Sequence, residues 1–159
     1  MSPPLGLGIA GAGRFAGFIA DAVADLGDVA VRAVADPATE SAADLAARHQ
    51  ARATPRWENL LEDDSVDVVV VATPPSSHAA IAVAALEAGK HVFCEKPVAT
   101  TAADAAGLVE AVRRTGRVLV VDHVLRYNPL LRALKRLEGQ LLGGVQRFCF
   151  ENDASDEDL

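Results

Sequence analysis

The strongest constraint on the fold is an alternation: a short β-branched run, a loop, then an alanine-rich amphipathic stretch ended by glycine, repeated along the chain. Parallel strands need a long crossover between them, usually a helix, so this rhythm predicts an α/β chain with a doubly wound parallel sheet. Leu5 to Ala10 reads as the first strand. The helix after it carries Phe15, Ile19, Ala22, Val23 and Leu26 at three- and four-residue spacing, which predicts one apolar face, and Gly27 stops it. Val29 to Ala35 reads as the second strand, Thr39 to His49 as a helix, Ala53-Thr54 as a short third strand, and Trp57 to Leu61 as a short helix with its tryptophan packed. Val66 to Ala72 is nearly pure valine, which suits a central strand covered on both faces. Ser76 or Ser77 is the expected cap of the next helix, which Gly89 ends. His91 to Glu95 reads as strand five, Thr100 or Thr101 starts a helix closed by Gly116, and Arg117 to Asp122 reads as strand six.

Half of the 159 residues are hydrophobic, enough for one sizeable core. The expected division is a dinucleotide-binding Rossmann-type domain over residues 1–122, and over 123–159 a linker helix with the first strand of a second α/β domain. That extension comprises a helix opened by Asn128-Pro129 and running to about Glu138, a turn at Gly143-Gly144 and an alternating strand from Val145 to Phe150. The acidic end after Phe150 has neither the spacing nor the turn glycine of a calcium loop and is expected to be mobile.

Fifteen basic against twenty-two acidic residues give a net charge of −7, with no basic block and few aromatics. This argues against nucleic acid and against an anionic membrane as partners. No apolar stretch reaches the length of a membrane span and the N-terminus carries no basic leader, so a cytoplasmic protein is expected. Cys94 and Cys149 lie in apolar runs, as buried free thiols do, and the histidines have no metal-ligand spacing.

Three strand ends carry candidate chemistry. Gly11-Ala12-Gly13-Arg14-Phe15-Ala16 is a G-x-G-x-x-A element between a predicted strand and a predicted helix. The first glycine permits a tight turn, the second lets backbone N–H groups approach a pyrophosphate, and the alanine allows close helix packing. Asp36 ends strand two about 20 residues further on, where a carboxylate can accept from both ribose hydroxyls and would repel a 2′-phosphate, favouring NAD over NADP. Asp36-Pro37 is also an ordinary strand-to-helix turn. Thr73-Pro74-Pro75-Ser76-Ser77-His78 can lie along a dinucleotide or serve only as a capped connection, with His78 bound to local backbone. Glu95-Lys96-Pro97 puts an ammonium at the carboxyl edge, able to polarise a carbonyl or exchange a proton, although most lysines are solvated surface groups.

Gly11-x-Gly13-x-x-Ala16, then Asp67-Val68-Val69-Val70-Val71-Ala72-Thr73-Pro74 with His78, then Ala88-Gly89-Lys90-His91-Val92-Phe93-Cys94-Glu95-Lys96-Pro97 together resemble the Gfo/Idh/MocA family. The resemblance implies a Rossmann domain followed by a substrate domain, and NAD(P)-dependent oxidation or reduction, often of sugars or cyclitols. It implies that Lys96 lies beside nicotinamide and substrate as the catalytic residue. His123-x-x-Arg126-Tyr127-x-Pro129 resembles the segment leading into the second domain; His123 can equally be a strand-end residue, and Arg126 can pair with a carboxylate. The cofactor-facing set is then Gly11, Gly13, Arg14, Phe15, Ala16, Asp36, Thr73, Pro74, Pro75, His78, Glu95, Lys96, Pro97, His123 and Arg126. The other expectations are a small sugar or polyol-like substrate, a possible homo-oligomer, and no turnover by this chain alone. The alternative is a stand-alone NAD-binding module without catalysis.

Overall fold

The structure is a computed structural model and describes residues 3–129. Along them run β1 (Leu5–Ala10), α1 (Arg14–Ala24), β2 (Val29–Ala35), α2 (Thr39–Arg48), β3 (Arg52–Thr54), α3 (Glu58–Leu61), β4 (Val68–Val71), α4 (Pro75–Glu87), β5 (His91–Cys94), α5 (Ala102–Thr115) and β6 (Leu119–Val121), followed by a 3-10 turn over Val124–Tyr127. The strands form one parallel sheet in the order β3-β2-β1-β4-β5-β6. The chain reverses direction across the sheet between β1 and β4, so their carboxyl ends border the crevice in which doubly wound folds take ligands.

The valine run explains the layering. Val69 and Val71 pack into a cluster with Leu60, Ile81, Leu86 and Leu108, from α3, α4 and α5. Val70 points the other way, into a cluster with Ile9, Ala16, Ala20, Val34 and Leu45, from the side of α1 and α2. Strand side chains alternate between faces, so a strand covered on both needs apolar residues at successive positions.

Two sequence expectations are corrected. The buried side of α1 is Ala16 and Ala20, with Ile19 and Val23 partly buried, whereas Phe15, Ala22 and Leu26 are exposed. Ala16, pressed against the sheet with no exposed surface, sets the phase of the helix and turns Phe15 outward. Neither Ser76 nor Ser77 caps α4: the helix begins at Pro75, after Pro74, with no side-chain cap. Proline suits that first position because its φ is already helical and its missing N–H would have had no partner. Thr101 does cap α5, accepting from the Asp104 amide, and Gly116 ends it in the left-handed conformation. Trp57 packs against the core as expected.

Met1–Asp122 is one compact unit and His123 begins a second. The helix expected to reach Glu138, the turn at Gly143-Gly144, the strand from Val145 to Phe150, the acidic end and Cys149 fall outside the described residues. No helix among the described residues is long and apolar enough to cross a membrane, and no described group of His, Cys, Asp and Glu could hold a metal ion.

Candidate functional site

The candidate residues of the first unit gather at the carboxyl edge of the sheet, after β1, β2, β4 and β5. Gly11 and Gly13 are glycines for different reasons. Gly11 has φ +100°, and a Cβ there would lie 2.4 Å from the Ala72 carbonyl oxygen, so the chain itself demands glycine. Gly13, at φ −77° in front of α1, is in an ordinary conformation, and a Cβ on it would meet nothing within 4 Å. Its missing side chain leaves space open before the first turn of α1, whose N–H groups have no acceptors within the helix. That turn carries Arg14 and no acid, a balance that suits an anion.

Asp36 ties this loop to the next. Its Oδ2 accepts from the Ala12 amide and its Oδ1 from the Ala38 amide, both at 2.8 Å. The first bond braces the glycine loop and the second is the turn foreseen as the alternative reading, so the residue does both. Each carboxylate oxygen keeps further acceptor capacity. An open cradle in front of backbone donors, with a carboxylate beside it, fits a dinucleotide.

The loop after β4 is braced internally. Thr73 Oγ1 and Ser77 Oγ are 2.7 Å apart, and the Ser77 hydroxyl donates to the Pro74 carbonyl. His78 is not on the open face; it is 1% exposed. Its Nδ1 lies 2.8 Å from the Pro97 carbonyl and its Nε2 2.6 Å from the Thr73 carbonyl, so the ring bridges the loops after β4 and β5. A neutral imidazole has one N–H and donates to one of these oxygens at a time. The geometry gives His78 the backbone role rather than the cofactor-facing one.

Glu95 is also buried, at 7% exposure, and its Oε2 accepts from the Lys96 amide at 3.2 Å. Burial pushes its carboxyl above the usual carboxylate range, the hydrogen bond with Asp122 and that residue's charge push the same way, and the amide and charge of Lys96 oppose them. The Glu95–Asp122 pairing was not read from the sequence, although its signal is there: each acid directly follows one of two neighbouring strands, Cys94 being paired with Val121. Burial also pushes the Cys94 thiol up to about 12, with Glu95 adding to it. Lys96 and Pro97 are exposed, the peptide bond between them is cis, and the Lys96 ammonium lies over the Phe15 ring, 5.5 Å from its centroid. His123 and Arg126 lie in the second unit, where the Arg126 amide donates to the His123 carbonyl.

Residues 5–123 match the family model GFO_IDH_MocA, an oxidoreductase family with an NAD-binding Rossmann fold. The 4-carboxy-2-hydroxymuconate-6-semialdehyde dehydrogenase of a Sphingobium species is 37% identical over 125 residues, 77% of this chain and 39% of that protein. The levoglucosan dehydrogenase of Pseudarthrobacter phenanthrenivorans is 34% identical over 119 residues, 74% of this chain and 30% of that protein. The crystal structure of GenD2 from gentamicin A biosynthesis, in complex with NAD, superposes with a TM-score of 0.81 at 34% identity, over 86% of this chain and 39% of that one. The chain thus spans well under half the length of these relatives.

Proposed function

This chain belongs to the Gfo/Idh/MocA oxidoreductase family as an NAD-binding Rossmann domain, and on that premise we propose that it is the nucleotide-binding part of a cytoplasmic dehydrogenase acting on a secondary alcohol of a sugar- or cyclitol-like substrate. The observation that carries the nucleotide reading is the contrast between the two loop glycines. Gly11 is demanded by the chain, while Gly13 leaves space that no described neighbour uses. The open N-terminal turn of α1 binds the pyrophosphate through backbone N–H groups, and Asp36 accepts from the adenosine ribose.

NAD, when bound, supplies the hydride chemistry. The chain supplies position and proton handling. Lys96, at the carboxyl end of β5, protonates or deprotonates the substrate oxygen. Its backbone is set by Glu95 on one side and by the Pro97–His78 bond on the other. The substrate class is supported by relatives such as the levoglucosan dehydrogenase. The 159-residue chain made by itself is expected to bind NADH and oxidise no polyol, because a reacting carbon must also be held in place and the chain spans only part of its relatives.

Kinetics of a longer protein that contains this chain test the role of Lys96. Lys96→Ala should lower kcat by about a hundred- to ten-thousand-fold while NADH affinity changes little. A fall of less than about tenfold would make Lys96 a loop residue rather than the proton-handling group.

A further inference from the structure

The backbone of Lys96 is fixed, but its side chain is exposed and makes no ion pair among the described residues. A four-carbon stem in that position samples many rotamers, whereas proton transfer needs one. Its ammonium acts on the Glu95 carboxyl behind it and lies over the face of Phe15, 5.5 Å away at the ring centroid. Phe15 stands in the first turn of α1, directly after the glycine loop, and β4 separates β1 from β5 in the sheet. The contact therefore spans the crevice from one loop to the other.

Phe15 has no core role, being 54% exposed. It is nevertheless held: its ring meets Phe18 edge to face at 6.3 Å and 81°, and the Arg14 guanidinium covers Phe18 at 5.4 Å. A phenyl face is electron-rich and attracts a cation placed over it, which an aliphatic side chain of similar size does not.

We propose that Phe15 is a positioning residue for Lys96, the face of its ring holding the ammonium across the crevice from the glycine loop. This rests on the proton-handling role proposed for Lys96 above. Its consequence is that the helix which receives the pyrophosphate also sets the amine.

The test is carbon-13 NMR of the chain after reductive dimethylation, which labels lysines and keeps their charge. The Lys96 signal is assigned by its loss in Lys96→Arg, and Lys90 is the reference at the opposite end of β5. The Lys96 signal should lie upfield in the unmodified chain and in Phe15→Tyr, as a ring current requires. Phe15→Leu removes the ring, so the Lys96 signal should lose this upfield displacement and move toward the Lys90 position, with the melting temperature unchanged. The same Lys96 position in the unmodified chain and in Phe15→Leu would overturn the proposal, as would loss of the displacement in Phe15→Tyr. NADH titration of the same sample separates the two readings: a displaced signal without NADH binding leaves this contact standing and removes the nucleotide function.

Discussion

The loops after β1 and after β5 lie at the same edge of the sheet and are built by opposite means. The first is made by leaving atoms out: Gly11 clears the Ala72 carbonyl and Gly13 leaves a cradle in front of a helix. The second is made by filling space: Glu95 reaches the Lys96 amide, His78 reaches the Pro97 carbonyl, and Asp122 reaches Glu95. One loop should therefore fail when atoms are added, and the other when they are taken away.

The largest expected effect is at Gly11. Gly11→Ala forces a Cβ against backbone at φ +100° and should destabilise the chain by about 2–5 kcal/mol in urea unfolding, combining backbone strain with overpacking. A loss under about 0.5 kcal/mol would mean that the loop is not closed against Ala72 as described.

His78 is the corresponding removal on the other loop. His78→Leu leaves the Thr73 and Pro97 carbonyls without their buried donor and should cost about 1–3 kcal/mol. It should also loosen the Lys96 segment, seen as faster amide exchange around Glu95 to Val98. Unchanged stability together with unchanged exchange would make the bridge incidental.

Glu95 gives the second loop a pH dependence. A carboxyl whose folded pKa lies above its unfolded value binds protons more tightly when folded. Its contribution is complete below the ordinary carboxylate range and is lost as pH rises through the folded pKa. Glu95→Gln keeps the shape without the charge, so the variant should gain stability relative to the unmodified chain over that rise. Parallel pH–stability curves for the two proteins would contradict a Glu95 carboxyl raised by burial and by Asp122.

Asp36 carries the smallest effect. NADH should bind more tightly than NADPH, and Asp36→Asn, which keeps acceptor geometry for the Ala12 amide, should narrow the difference by about 1–2 kcal/mol. Equal affinities in the unmodified chain would remove the ribose role and leave Asp36 as the loop brace.

The two loops also differ in how far the sequence discloses them. The succession of strands and helices, the glycine loop and the strand-end lysine follow from local spacing, because each strand–turn–helix unit carries its own signal. The partners in the second loop lie far apart in the chain: His78 and Pro97 are separated by 19 positions, so no local pattern announces their bond. The phase of α1 escapes local spacing for a related reason. Apolar spacing fits Phe15, Ile19 and Val23 on one face, and only the close approach of Ala16 to the sheet turns Phe15 outward, over the crevice and under Lys96. His123 and Arg126 lie in the other unit.

If the space at Gly13 exists for a dinucleotide, thermal melting of the unmodified chain and of Gly13→Val, with and without NADH, will show it. A Cβ at Gly13 meets nothing within 4 Å and the backbone there is ordinary, so the variant without NADH should be within about 1 kcal/mol of the unmodified protein. NADH at about a hundred times its dissociation constant should stabilise the unmodified chain by roughly 2.7 kcal/mol and leave Gly13→Val where it was. An equal NADH-dependent shift in both proteins, or none in the unmodified chain, would contradict the account.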